Sequence, residues 1–123
     1  MELIDKSGAT TKFPFTNPSK FISTQRNCGW CFTLHKFTVD DEEALKLCEC
    51  KFVIYGKEVT GNGSFHLQGY IYFHNPGKTF YAVKRILPSA YWTQSKGCMQ
   101  ANIDYCSKQG NVFNKGNLKR YML

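Results

Sequence analysis

From Phe65 to Phe73 the chain alternates between two kinds of side chain, and few folds can accommodate that pattern. His66, Gln68, Tyr70 and Tyr72 form one set; Phe65, Leu67, Gly69, Ile71 and Phe73 form the other. Successive side chains on a β-strand project to opposite faces, so a strand separates the two sets cleanly, whereas a helix would scatter them around its circumference. The apolar set belongs to a core. The other set puts an imidazole, an amide and two phenols on the opposite face. A His and a Gln two residues apart on one strand face can reach the same cation, although a strand histidine is also commonly just solvated.

The surrounding sequence supplies further elements. Trp30–Phe37 alternates aromatic and aliphatic residues with Thr and His and predicts a first strand. Thr38 or Asp40 can cap a following helix, whose first turn is acidic through Asp40, Asp41, Glu42 and Glu43, as the helix dipole favours. Lys51–Tyr55 reads as a second strand ended by Gly56, and Thr60–Ser64 is turn chemistry leading into the Phe65–Phe73 strand. Thr79–Leu87 reads as an amphipathic helix stopped by Pro88, Ala90–Thr93 as a fourth strand, and Cys98–Gln109 as a final helix capped by Gly110. Val112-Phe113 begins an edge strand. The order β-α-β-β-α-β with a further helix predicts an α+β fold: an antiparallel sheet of about five strands with helices on one face, as in split βαβ, ferredoxin-like and RRM-like domains.

With 123 residues the chain has room for one core. Residues 1–27 are rich in Ser, Thr, Asn and Lys, hold Pro14 and Pro18, and lack any sustained period, so they read as a basic mobile arm preceding a domain at 28–123. No apolar run approaches the roughly 18 residues that span a bilayer. The first residues lack the basic-then-apolar layout of a secretory signal, which points to the cytosol or nucleus. Six cysteines raise the question of zinc, but Cys28 and Cys31 have ligand spacing while Cys48 and Cys50 do not, and reduced thiols are expected.

The net charge of +7 is carried by the second half. Residues 1–58 balance eight basic against eight acidic side chains, whereas residues 59–123 set Lys78, Lys84, Arg85, Lys96, Lys108, Lys115, Lys119 and Arg120 against Asp104 alone. Such a surface meets a polyanion favourably, although solubility accounts for it equally well. Within the last helix, Tyr105 and Lys108 lie three residues apart and hence on one helix face.

Three segments then occur in a telling order: Cys31-Phe32-Thr33-Leu34, Phe65-His66-Leu67-Gln68-Gly69 and Tyr105-Cys106-Ser107-Lys108. Over about residues 28–120 the chain resembles the His-hydrophobic-His endonuclease domain that begins the replication initiators of small circular single-stranded DNA viruses of the circovirus and nanovirus kind, in the variant where Gln replaces the second His. Tyr-x-x-Lys alone is uninformative; the ordered trio is specific. The resemblance implies that His66 and Gln68 ligate a metal, with Glu58 completing the set at the end of the preceding strand. Imidazole, amide oxygen and carboxylate leaving open positions suit Mg²⁺ or Mn²⁺. It further implies that Tyr105 attacks a phosphodiester, releases a 3′-hydroxyl and retains the 5′ end as a phosphotyrosine, which the returning 3′-hydroxyl can reverse. A tyrosine hydroxyl ordinarily ionises near pH ~10, and Lys108 is placed to steady the phenolate or the phosphate.

The implied substrate is the single-stranded loop of an origin stem-loop in DNA replicated in the host nucleus. The first segment departs from the family's Phe-Thr-Leu-Asn-Asn, reading His35 and Lys36 at its end. Since that segment is associated with DNA binding, the departure bears on target preference more than on chemistry. Thr33, His35, Lys36 and Lys96 are candidate DNA contacts, and Tyr70 and Tyr72 candidate stacking platforms. In the viral proteins a superfamily-3 helicase follows; no Gly-x-x-x-x-Gly-Lys-Ser/Thr run occurs here, so that partner domain is absent from this chain. The competing readings are a non-catalytic RRM-like nucleic-acid-binding module, which needs neither Glu58 with His66 nor Tyr105 with Lys108, and a small zinc domain built on the cysteines.

Overall fold

A computed structural model describes residues 25–116; most of the expected N-terminal arm, residues 1–24, lies outside the described residues. Eight elements follow in order: β1 (Gly29–His35), α1 (Val39–Leu47), β2 (Phe52–Val59), β3 (Phe65–Tyr72), α2 (Phe80–Ile86), β4 (Tyr91–Gln94), α3 (Met99–Cys106) and β5 (Val112–Gly116). The strands form one five-stranded sheet in the order β4-β1-β3-β2-β5, with every neighbouring pair antiparallel. No helix among the described residues is long and apolar enough to cross a membrane.

Local chemistry sets most boundaries. Thr38 and Asp41 form a reciprocal capping box, each side chain accepting from the other's backbone N–H at 3.2 and 2.9 Å, which starts α1. Thr79 starts α2 with a one-way cap, its hydroxyl oxygen accepting from the Ala82 amide. β1 stops earlier than its pattern suggests because Lys36 adopts a left-handed conformation (φ 55°) that turns the chain toward α1. β2 runs further than expected: the strand continues through Gly56 to Val59 rather than ending there. Arg26 and Asn27 dock onto the 77–78 turn, and the Trp30 indole donates to the Asn27 and Lys78 carbonyls, so the last residues of the expected arm belong to the domain.

The main core lies between one sheet face and the first two helices. Trp30, Phe32, Leu34, Val53, Tyr55, Leu67 and Ile71 meet Leu45 of α1 and Val83 of α2 there. Phe32 stacks obliquely on Trp92, with centroids 5.0 Å apart, and its ring covers the bare backbone of Gly69, where a Cβ would overlap it. The third helix differs from the one-sided arrangement expected. α3 crosses the opposite face, where Cys106, Met99 and Ile103 close a second apolar cluster with Phe52, Ile54, Tyr70 and Tyr72. The antiparallel α+β architecture is as expected, but the sheet is covered on both faces, and α3 spans only part of the second.

Candidate active site

Strand register builds the site's floor. His66 on β3 is directly paired with His35 on β1 and with Glu58 on β2, and paired residues share a sheet face. The next rung on that face pairs Gln68 with Thr33 and with Gly56. The result is a titratable rung, His35–His66–Glu58, beside a polar rung, Thr33–Gln68–Gly56. Gly56 leaves the second rung open, and the end of α3 settles there: a Cβ on Gly56 would overlap the carbonyl oxygen of Cys106. The helix end thereby brings Tyr105 and Lys108 over the first rung.

Glu58 is the centre of the site. It is only 2% exposed, and its carboxylate accepts from Lys108 Nζ at 2.8 Å (Oε1) and 2.7 Å (Oε2) and from His66 Nε2 at 3.1 Å. An isolated buried carboxylate costs at least several kcal/mol, and three charge-directed hydrogen bonds offset that cost. His66 Nδ1 is buried without a hydrogen-bond partner. The His35 ring tilts against His66 with centroids 5.3 Å apart; loss of solvent, and secondarily the neighbouring imidazole, lowers the His35 pKa from its usual value. Gln68 is held in one orientation, since its amide nitrogen must donate to the Phe32 carbonyl (3.2 Å), leaving Oε1 to accept from Thr33 Oγ1 (3.1 Å). That oxygen keeps a second lone pair.

α3 ends at Cys106, so Lys108 lies in the turn beyond the helix rather than on it. Its backbone N–H still reaches the Tyr105 carbonyl at 3.4 Å, which preserves the three-residue spacing. The Lys108 ammonium lies 3.8 Å from the Tyr105 ring centroid and donates to the Tyr105 carbonyl at 3.2 Å. Tyr105 itself is 55% exposed.

The donor set fits a hard divalent cation. Adjacent ligands of an octahedral site with bonds of about 2.1 Å lie about 3.0 Å apart, close to the 3.1 Å between His66 Nε2 and Glu58 Oε1. Among the described residues no three His, Cys, Asp or Glu side chains are grouped to hold a metal; a third donor to such a cation would come from another residue type, and the Gln68 amide oxygen lies on the neighbouring rung of the same face. The six cysteines are free thiols, and burial raises Cys31 to about 11 and Cys106 to about 12.

The remaining candidates fare unequally. Lys36 is exposed beside the His35 end of the titratable rung, and Lys96 is exposed in the β4–α3 connection, where its carbonyl accepts from Asn102. Tyr70 requires correction as a stacking platform. It is 2% exposed beneath α3, and burial pushes its hydroxyl pKa up. Tyr72 is half-buried in the same cluster. Two positioning residues escaped sequence reasoning. Gly56 looked like a strand terminator and is instead the seat of α3. Gln109 grips β2 like a short extra strand, accepting from the Val59 N–H at 3.0 Å and donating to its carbonyl at 3.4 Å. Nothing in a lone glutamine after a helix signals that role.

Comparison with known proteins places this geometry in context. Residues 27–109 match the family described as "Putative viral replication protein". The chain is 40% identical over 98 residues to the replication-associated protein of beak and feather disease virus, covering 77% of this chain and 33% of that protein. It is 38% identical over 86 residues to the replication-associated protein of canary circovirus, covering 68% and 29% respectively. A protein named Para-Rep C2, from subterranean clover stunt C2 alphasatellite, is 32% identical over 84 residues, covering 65% and 30%. The chain thus spans about a third of the length of these curated relatives.

Proposed function

The chain belongs to the viral replication-protein family, and on that premise we propose that it is the endonuclease module of a rolling-circle replication initiator, cutting and rejoining single-stranded DNA at an origin stem-loop. The observation that carries this reading is the convergence of three separate segments on one spot. Glu58 from β2, His66 and Gln68 from β3, and Tyr105 with Lys108 at the end of α3 meet on one sheet face where α3 ends.

In this mechanism the Tyr105 phenolate oxygen attacks the scissile phosphorus, the P–O3′ bond breaks, and the departing 3′ oxygen takes up a proton. The DNA 5′ end stays on Tyr105 as a phosphodiester of nearly unchanged energy, so a 3′-hydroxyl can attack it, release the tyrosine and join the strand. Glu58, His66 and the Gln68 amide would hold Mg²⁺ or Mn²⁺. Such a cation supplies charge neutralisation of the phosphate as it becomes five-coordinate. Thr33 fixes the Gln68 carbonyl, and His35 and Lys36 extend the site toward the strand's flank. Lys96 adds positive charge in the β4–α3 connection for backbone phosphates. On this reading the module would act on viral DNA in the host nucleus, alongside the helicase domain that the family resemblance implies.

A non-catalytic RRM-like binder has little support by comparison, because that reading relies on open aromatic platforms and α3 covers Tyr70. The test is direct. The protein is incubated with Mn²⁺ and end-labelled stem-loops carrying a randomised single-stranded loop, then denatured in detergent. A labelled protein–DNA adduct that disappears in Tyr105→Phe and in EDTA is expected. An adduct that persists in either condition refutes the mechanism.

A further inference from the structure

Lys108 does not rest where a helper of the tyrosine hydroxyl would rest. Its ammonium sits on the Glu58 carboxylate at 2.7 and 2.8 Å and lies over the Tyr105 ring rather than extending from it. We infer that Lys108 and a divalent cation are alternative occupants of Glu58, so that loading the site releases the Lys108 ammonium to the Tyr105 oxygen and the phosphate. The inference rests on the function proposed above and adds an ordering to it: the lysine is withheld until the site is charged.

Three observations carry it. The Glu58 side chain is 3% exposed, so nothing reaches the carboxylate without displacing a present partner. Three of the roughly four acceptor positions of a carboxylate are already filled, two of them by Lys108 and one by His66. His66 remains as a co-ligand in the donor set and Lys108 cannot, because an ammonium has no lone pair and repels a dication. The lysine side chain is itself 39% exposed, so it can leave without unfolding anything. Its new partner would be close at hand, since Tyr105 is three residues away and its ring is already in contact.

The test measures binding, not turnover. Mn²⁺ is titrated into wild type, Lys108→Gln, Glu58→Gln and the charge control Lys57→Gln, and free Mn²⁺ is read by electron paramagnetic resonance at low ionic strength. Lys57 carries the same charge but pairs with Glu42 on the other side of the sheet. Lys108→Gln is expected to bind Mn²⁺ about tenfold or more tightly than wild type while losing DNA nicking, Lys57→Gln to change affinity less than about twofold, and Glu58→Gln to lose binding. In parallel, wild type is briefly acylated with an amine-reactive ester with and without saturating Mn²⁺, and Lys108 modification is mapped by mass spectrometry; several-fold faster labelling with Mn²⁺ is expected. Equal or weaker Mn²⁺ binding by Lys108→Gln, or Mn²⁺-independent labelling of Lys108, overturns the inference and leaves the endonuclease reading standing. Failure of every variant to bind Mn²⁺, together with absence of the covalent DNA adduct, overturns both.

Discussion

Replacing Gly56 with alanine adds one methyl group at the point where α3 touches the sheet. The new Cβ would overlap the Cys106 carbonyl oxygen and come within 3.4 Å of its carbon. The obstructing atoms are backbone, so no side-chain rotation relieves the clash, and the end of α3 must lift by about 1 Å to restore ordinary contact. Overpacking of this kind costs about 2 kcal/mol, which for a domain of this size lowers Tm by roughly 8–16 °C. The functional effect is larger. Tyr105 and Lys108 ride on that helix end, and a displacement of about 1 Å in a reacting group reduces rate by about a hundredfold. The assay pairs a thermal melt followed by circular dichroism with single-turnover formation of the DNA adduct at a temperature well below the variant's Tm. Gly61→Ala serves as the control, because a Cβ there meets nothing within 4 Å. A Gly56→Ala protein with wild-type Tm and wild-type adduct rate would refute the claim that this glycine seats the end of α3.

Other outcomes follow from the same geometry. Tyr105→Phe should abolish the adduct while changing unfolding free energy by less than about 0.5 kcal/mol, because the ring is exposed and keeps its contact with Lys108. A stability loss above 2 kcal/mol would mean the tyrosine is structural. Mn²⁺ at about a hundred times its dissociation constant should stabilise the fold by about 2.7 kcal/mol, and the rise in Tm should vanish in His66→Ala; an equal rise in that variant would place the ion elsewhere. Among the thiols, Cys50 should be alkylated by iodoacetamide before Cys31 and Cys106 at neutral pH. A hydrogen bond from Cys48, aided by Lys115, favours the Cys50 thiolate against its burial, whereas burial disfavours the other two thiolates. Peptide mapping after brief alkylation checks the order, and earlier modification of Cys31 or Cys106 contradicts it.

Much of this domain was legible in one dimension. The alternation of Phe65–Phe73 separated the core face from the functional face, and Leu67 and Ile71 are buried while His66 and Gln68 face the site. Thr38 caps α1, as one of the two residues the sequence offered for that place, and Gly110 ends the last turn with φ 85°. These features depend on neighbours within a few residues, so local sequence determines them.

What sequence could not decide involves partners far apart along the chain. Residues Lys51–Tyr55 looked complete at Gly56, yet pairing with β3 carries the strand on to Glu58 and sets that carboxylate opposite His66. The face chosen by α3 depends on how Cys106 and Ile103 pack against Ile54 and Tyr70, about 35–50 residues earlier. That choice buries Tyr70, withdrawing it from any stacking role, and lands Lys108 on Glu58. Local periodicity says which side of an element is apolar but not which surface will cover it. His66 with Gln68, and Tyr105 with Lys108, were therefore readable as two chemical pairs in the sequence, but register and helix docking were needed to bring them to Glu58 as one site.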